Sequence, residues 1–197
     1  MADLLKRIRI GREGPIEEAV MARPERLGFP GALAIRNWRV SPTSGRLDVG
    51  LLPRVGPVQL VLVEAKAATA VDAASKVVGQ LLMYYAGALL LGTEGLAAIR
   101  DFVSRYPEEA RSNSKKSQVR LSGVSPSAKA WQALSGGQRL RPDQLRMFVA
   151  LDSDPHHAFE PLQSALYEHH GMAIGLVVVR NGEIERVSPP LNSPGHG

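Results

Sequence analysis

Nine residues, Val58 to Lys66 (VQLVLVEAK), constrain the fold of this chain more than any other stretch. The apolar, β-branched run reads as a buried strand, and it ends in Glu64-Ala65-Lys66. Side chains alternate along a strand, so Glu64 and Lys66 share one face and Ala65 takes the other. Charges at the end of an apolar strand need partners there, because a buried charge without one costs several kcal/mol. The two can satisfy each other or emerge into water, so an acid-x-Lys tripeptide carries little by itself. Its flanks carry more.

Upstream, Gly45 to Leu52 (GRLDVGLL) reads as a second strand with Asp48 in its middle. The turn residues Pro53 to Pro57 predict an antiparallel hairpin between it and the Glu64-x-Lys66 strand. Ala32 to Val40 reads as a preceding strand. Downstream, Asp72 to Leu91 reads as a helix capped by Asp72, with the apolar stripe Val77, Leu81, Tyr84, Ala88 and Leu91. Gln80 lies at the edge of that stripe, one turn before Tyr84, where a half-buried amide either serves a site or is structural. Near the start, Ile16 to Leu27 reads as a helix entered through Gly14-Pro15, with Ile16 and Val20 as its buried stripe. Of its acids, Glu13 falls nearest that stripe, Glu17 further off and Glu18 on the far side. All three also favour the positive N-terminus of a helix.

An early helix acid, then Asp48, then Glu64-x-Lys66, then Gln80-x-x-x-Tyr84, resembles the PD-(D/E)xK nuclease superfamily, and more narrowly its RecB-like branch. The matching residues run from Glu13 to Tyr84; the rest of the chain agrees by element order, and Asp48 lacks the Pro that precedes it in the family motif. The resemblance implies an α/β protein with the restriction-endonuclease-like αβββαβ core, a mixed central sheet flanked by helices. Three consecutive strands already argue against a doubly wound sheet. The resemblance also implies a metal-dependent nuclease that hydrolyses phosphodiester bonds, in DNA first and RNA second, in repair, restriction or defence. Such hydrolysis brings an anionic nucleophile to an anionic phosphorus and needs cationic help, for which Mg²⁺ or Mn²⁺ takes oxygen ligands. By resemblance those ligands are Asp48, Glu64, the Ala65 carbonyl and Glu13, with Glu17 the alternative helix acid. Lys66 would orient the attacking water or stabilise developing charge. Gln80 would hold the water or the Lys, and Tyr84 would brace its helix. A catalytically inactive nucleic-acid-binding or assembly module of the same fold is the second reading, against which the intact Asp48, Glu64, Lys66 and Gln80 argue. A third makes Glu64–Lys66 a surface pair on some other fold.

The remaining chain is read more simply. Residues 92–146 form a helical, basic insertion: a helix over Leu96 to Tyr106, a polar loop, and a weak helix over Ser127 to Ser135. Lys and Arg outnumber acids there, and Arg111, Lys115 and Lys116 are candidates to track a nucleic-acid backbone. Such a loop can equally be solvated surface, with Arg36, Arg39 and Arg46 as the other substrate path. Leu134 to Gln138 spells LSGGQ, as in ATP-binding cassette proteins, but the chain has no Gly-Lys pair for a phosphate loop, and the segment reads as a turn. Arg146 to Leu151 is a strand, Asp154-Pro155 opens a helix to His170, and Ala173 to Val179 returns through Asn181-Gly182 to Glu183 to Val187. Capping explains the cluster Asp152, Asp154, His156 and His157 more simply than a metal does. The expected organisation is one domain over 1–187 and a disordered tail over 188–197. The net charge of +5 suits an anionic partner, and the absence of cysteine excludes disulfides and thiol catalysis. No apolar run reaches the roughly 20 residues that span a bilayer. A cytoplasmic protein without a membrane partner is expected; a homodimer is left open.

Overall fold

The computed structural model describes residues 13–41, 44–54, 56–67, 73–101, 119–121, 139–155 and 159–190. Within them the apolar runs assemble into one seven-stranded mixed sheet. The chain enters through helix α1 (residues 13–22) and a 3-10 turn at Pro24–Leu27. Strands β1 (Leu33–Trp38), β2 (Leu47–Leu52) and β3 (Leu60–Lys66) follow, then helices α2 (Ala73–Leu89) and α3 (residues 93–101). Strand β4 (Val119–Leu121), β5 (Leu145–Leu151), helix α4 (Phe159–His170), β6 (Ile174–Arg180) and β7 (Glu183–Ser188) complete it. The spatial order is β4-β1-β2-β3-β5-β6-β7. The predicted hairpin is present: β2 runs antiparallel to β3, while β5 and β6 lie parallel beyond it.

Each face of the sheet is covered. Leu33, Ile35, Leu47, Leu52, Leu60 and Leu62 pack against the stripe of α2, with α3 and α4 alongside. Ala34, Val49, Leu51, Val61, Val63 and Ala65 pack on the other face against Ile16, Ala19, Val20 and Met21 of α1. All five predicted stripe positions are buried, four of them on α2 and Leu91 just beyond its end.

Several boundaries differ from the sequence reading, each for a local reason. The helix expected over Ile16 to Leu27 is two pieces. The first piece is α1, which is already helical at residue 13, the first described residue, and runs to residue 22. Pro24 then drives Arg23 out of the helical region, to φ −137° and ψ 58°, and the chain resumes as the 3-10 turn closed by left-handed Gly28. The insertion expected to be helical contains β4, which pairs with β1 and covers what would be an open edge. Helix α4 begins at Phe159, not at Asp154, whose carboxylate is engaged by Arg186 at 2.7 and 3.2 Å. The tail expected to be disordered is ordered at its start: Gln163 Nε2 donates to the Pro189 carbonyl at 3.2 Å, and Pro190 is buried. Turn residues Asn181 and Gly182 both take positive φ, as a two-residue hairpin requires. Arg111, Lys115, Lys116, His156, His157, the Asp72 cap, the weak helix over Ser127 to Ser135, the LSGGQ turn and residues 191–197 lie outside the described residues. No single helix among the described residues is long and apolar enough to cross a membrane.

Candidate active site

At the carboxyl end of β3 the sheet brings together the charges that the sequence singled out. Alternation holds along β3: Leu60 and Leu62 pack in the α2 layer, Val61, Val63 and Ala65 in the α1 layer, and the Lys66 ammonium at the strand end reaches Glu13 of α1. Glu64 is 1% exposed, which few carboxylates tolerate without full compensation. Lys66 Nζ stands 3.1 Å from Glu64 Oε1, 3.5 Å from Glu13 Oε1 and 3.9 Å from Asp48 Oδ2. One ammonium thus serves three carboxylates drawn from a helix and two strands.

Asp48 reaches this point through a local reversal in β1 and β2. Leu47 and Val49, two residues apart, should share a face, yet they pack in opposite layers. Across the pair, Ile35 and Trp38 pack in the same layer, and between them Asn37 adopts φ 52°. Asn is among the few non-glycine residues that tolerate this region. The two strands therefore switch faces together, and the register is kept from Arg36↔Val49 to Trp38↔Leu47. Gly50 permits the switch, because a Cβ there would stand 2.6 Å from the Trp38 ring. The Asp48 carboxylate is released from both core layers and lies in the plane of the sheet. There Oδ2 accepts the Ala65 N–H at 2.8 Å, a donor past the last paired residues of the β2–β3 ladder, Val49↔Val63. In a strand the N–H and C=O of one residue point to the same neighbour, so the Ala65 carbonyl also faces the β2 side.

The electrostatics follow from sharing one cation. Burial, then the neighbouring Asp48, raises the Glu64 carboxyl to about 8, against the lowering effect of Lys66. For Lys66, burial lowers the pKa, but Glu64, Asp48 and Glu13 together outweigh it and hold the ammonium above its usual value. The two members of this ion pair thus fare differently: Lys66 has acids in excess, while Glu64 has one cation that it must share. Glu64 Oε2 is buried with no hydrogen-bond partner. As the side chains stand, no group of three or more His, Cys, Asp or Glu among the described residues is set to hold a metal ion, and here the Lys66 ammonium sits among the three carboxylates.

Supporting residues divide. The Tyr84 hydroxyl donates to the Arg46 carbonyl at 2.8 Å, tying α2 to the start of β2 two residues before Asp48. Its own pKa is raised by burial, by Glu64 and by Asp48, while a side-chain hydrogen bond with Gln80 acts the other way. Gln80, expected to be half-buried, is exposed. Glu17 does not join the cluster; its carboxylate is bound by Arg36 from β1. Two arginines of the basic segment have partners within the protein. Arg146 is buried, with its guanidinium given to the Asp143 and Leu145 carbonyls at 3.1 and 2.7 Å, and Arg141 pairs with Asp143 at 2.9 Å. Sequence reading missed the Arg36 pairing and the left-handed Asn37; an Asn within a strand candidate was the available signal for the latter. No protein-family model matches this chain, and neither a curated protein nor a solved structure does.

Proposed function

We propose that the protein is a metal-dependent nuclease of the PD-(D/E)xK kind, with a restriction-endonuclease-like core, acting on DNA. The observation that carries this reading is a buried carboxylate oxygen left without a partner, Glu64 Oε2, at the meeting point of Glu13, Asp48 and Lys66. Stability alone does not favour that arrangement, since a well-packed apolar cluster would be as stable or more so. The donor set is hard oxygen, which fits Mg²⁺ or Mn²⁺, and the orphaned oxygen supplies the unmet demand that a divalent cation satisfies.

Asp48, Glu64 and the Ala65 carbonyl would hold the ion, with Glu13 at its outer side. When bound, it would acidify water and neutralise charge on the phosphate. The chain's own groups do the rest. Lys66, anchored by burial and three acids, orients the attacking water and stabilises charge that develops on phosphorus oxygens. Asp48 is oriented by the Ala65 N–H, which its Oδ2 accepts at 2.8 Å. Tyr84 fixes α2 against this end of the sheet through the Arg46 carbonyl. A cytoplasmic location accords with a DNA substrate.

The test is incubation of the purified protein with linear, circular, branched and single-stranded DNA in Mg²⁺ or Mn²⁺, with Glu64→Gln as the control. Metal-dependent cleavage that disappears in the variant is expected. DNA binding without cleavage in any metal would instead favour the inactive binding module.

A further inference from the structure

Helix α1 carries two acids one turn apart, Glu13 and Glu17, and residues at that spacing lie on one face. Both are partly buried, with side chains 19% and 12% exposed, and both lean toward the sheet. They do not end in the same place, because two cations divide them. Lys66 meets Glu13, while the Arg36 guanidinium binds Glu17 through Nε and reaches Glu18 Oε1 at 3.4 Å through Nη1. Arg36 lies on β1 immediately before left-handed Asn37, and its planar fork spans two acids at once, which an ammonium cannot do in a fixed geometry. The guanidinium also rests against α1, where a Cβ at Gly14 would stand 3.4 Å from Nη2.

We infer that Arg36 is a positioning residue that sorts the two α1 acids, withholding Glu17 so that Glu13 alone serves the Lys66–Glu64–Asp48 cluster. The inference rests on reading that cluster as a metal centre. Glu17 is already within its electrical reach: burial raises its carboxyl, Arg36 lowers it, and Asp48 and Glu13 raise it again. Without Arg36 a fourth acid would compete for the charge at the end of β3.

The experiment is Mn²⁺ binding to the full chain for Glu13→Gln and Glu17→Gln, each alone and combined with Arg36→Met. With Arg36 present, Glu13→Gln should weaken Mn²⁺ binding about tenfold and Glu17→Gln by less than about twofold. With Arg36→Met the two should weaken it alike, within about twofold, as Glu17 becomes an alternative. The same ranking in both backgrounds would overturn the inference, and a purely structural Arg36 would lower all urea midpoints without altering the ranking. Arg36→Lys, which keeps the charge and loses the fork, carries the test if Arg36→Met does not fold. Should Mn²⁺ bind none of these chains, the metal reading fails, and the metal-free urea midpoints decide about Arg36. Lys66→Met should then be non-additive with Glu13→Gln and additive with Glu17→Gln, and the Glu17 pair should become non-additive once Arg36 is replaced. Additivity of the Glu17 pair in both backgrounds would sink the inference.

Discussion

Strands β3 and β5 lie side by side and parallel, and both end in acids, yet the two ends are built to opposite effect. After β5, the Asp154 carboxylate takes both Nη atoms of Arg186, one guanidinium to one carboxylate, in partial contact with water. At the end of β3, Glu64 is buried, shares one ammonium with two other acids, and keeps one oxygen without a partner. The first arrangement is complete within the protein. The second leaves a buried oxygen unsatisfied, and that difference, more than the number of acids, marks the end of β3 as the candidate site.

The comparison breaks most decisively on activity. Lys66→Ala and Glu64→Ala should each reduce DNA cleavage at least about 100-fold, the scale of losing an electrostatic stabiliser or a metal ligand. Asp154→Asn should stay within about twofold, since its carboxylate is engaged by Arg186 of β7. Near-normal cleavage by Lys66→Ala would end the proposed mechanism.

A second difference lies in pH dependence without metal. The Glu64 carboxyl is raised from 4.5 to about 8 by burial and Asp48, so between those values the folded chain holds a proton that the unfolded chain has released. Its contribution to stability is therefore greatest at low pH and declines as pH rises from 4.5 toward about 8, levelling off above. Glu17, also raised, acts in the same direction, while Lys66, raised above 10.5, loses its contribution only in the alkaline range. Urea midpoints measured in chelator across this range should fall with pH, and Glu64→Gln should flatten the profile. A profile of equal slope in that variant would show that Glu64 ionises normally.

Smaller effects sharpen the contrast. Tyr84→Phe removes the hydroxyl that holds the Arg46 carbonyl and should cost about 1 kcal/mol in urea unfolding. Because that bond lies beside Asp48, the variant should also slow cleavage, and unchanged cleavage would confine Tyr84 to packing. Arg186→Met, at the other strand end, should cost less than about 1 kcal/mol, the usual worth of a partly exposed ion pair, with no effect on cleavage.

The patterns legible in the sequence were those written within a single element or between neighbours in the chain. The alternation of VQLVLVEAK placed Glu64 and Lys66 on one side of β3, the Pro- and Gly-bearing turn made the hairpin, and the helical period located Val77, Leu81, Tyr84 and Ala88 on the buried side of α2. Each depends on local geometry with a fixed period, so the residues alone suffice. Tertiary structure alone decided the rest. That Asp48 lies in the plane of the sheet depends on Asn37 in the facing strand and on the space left by Gly50 beneath Trp38. That the Asp154 carboxylate meets Arg186 depends on β7 arriving 32 residues later. That Glu17 goes to Arg36 and Glu13 to Lys66 depends on which strands the sheet order sets beneath α1. A charge is satisfied by whatever the fold brings within a few ångströms, and for these residues the partners come from elements far away in sequence, where no local period reports them.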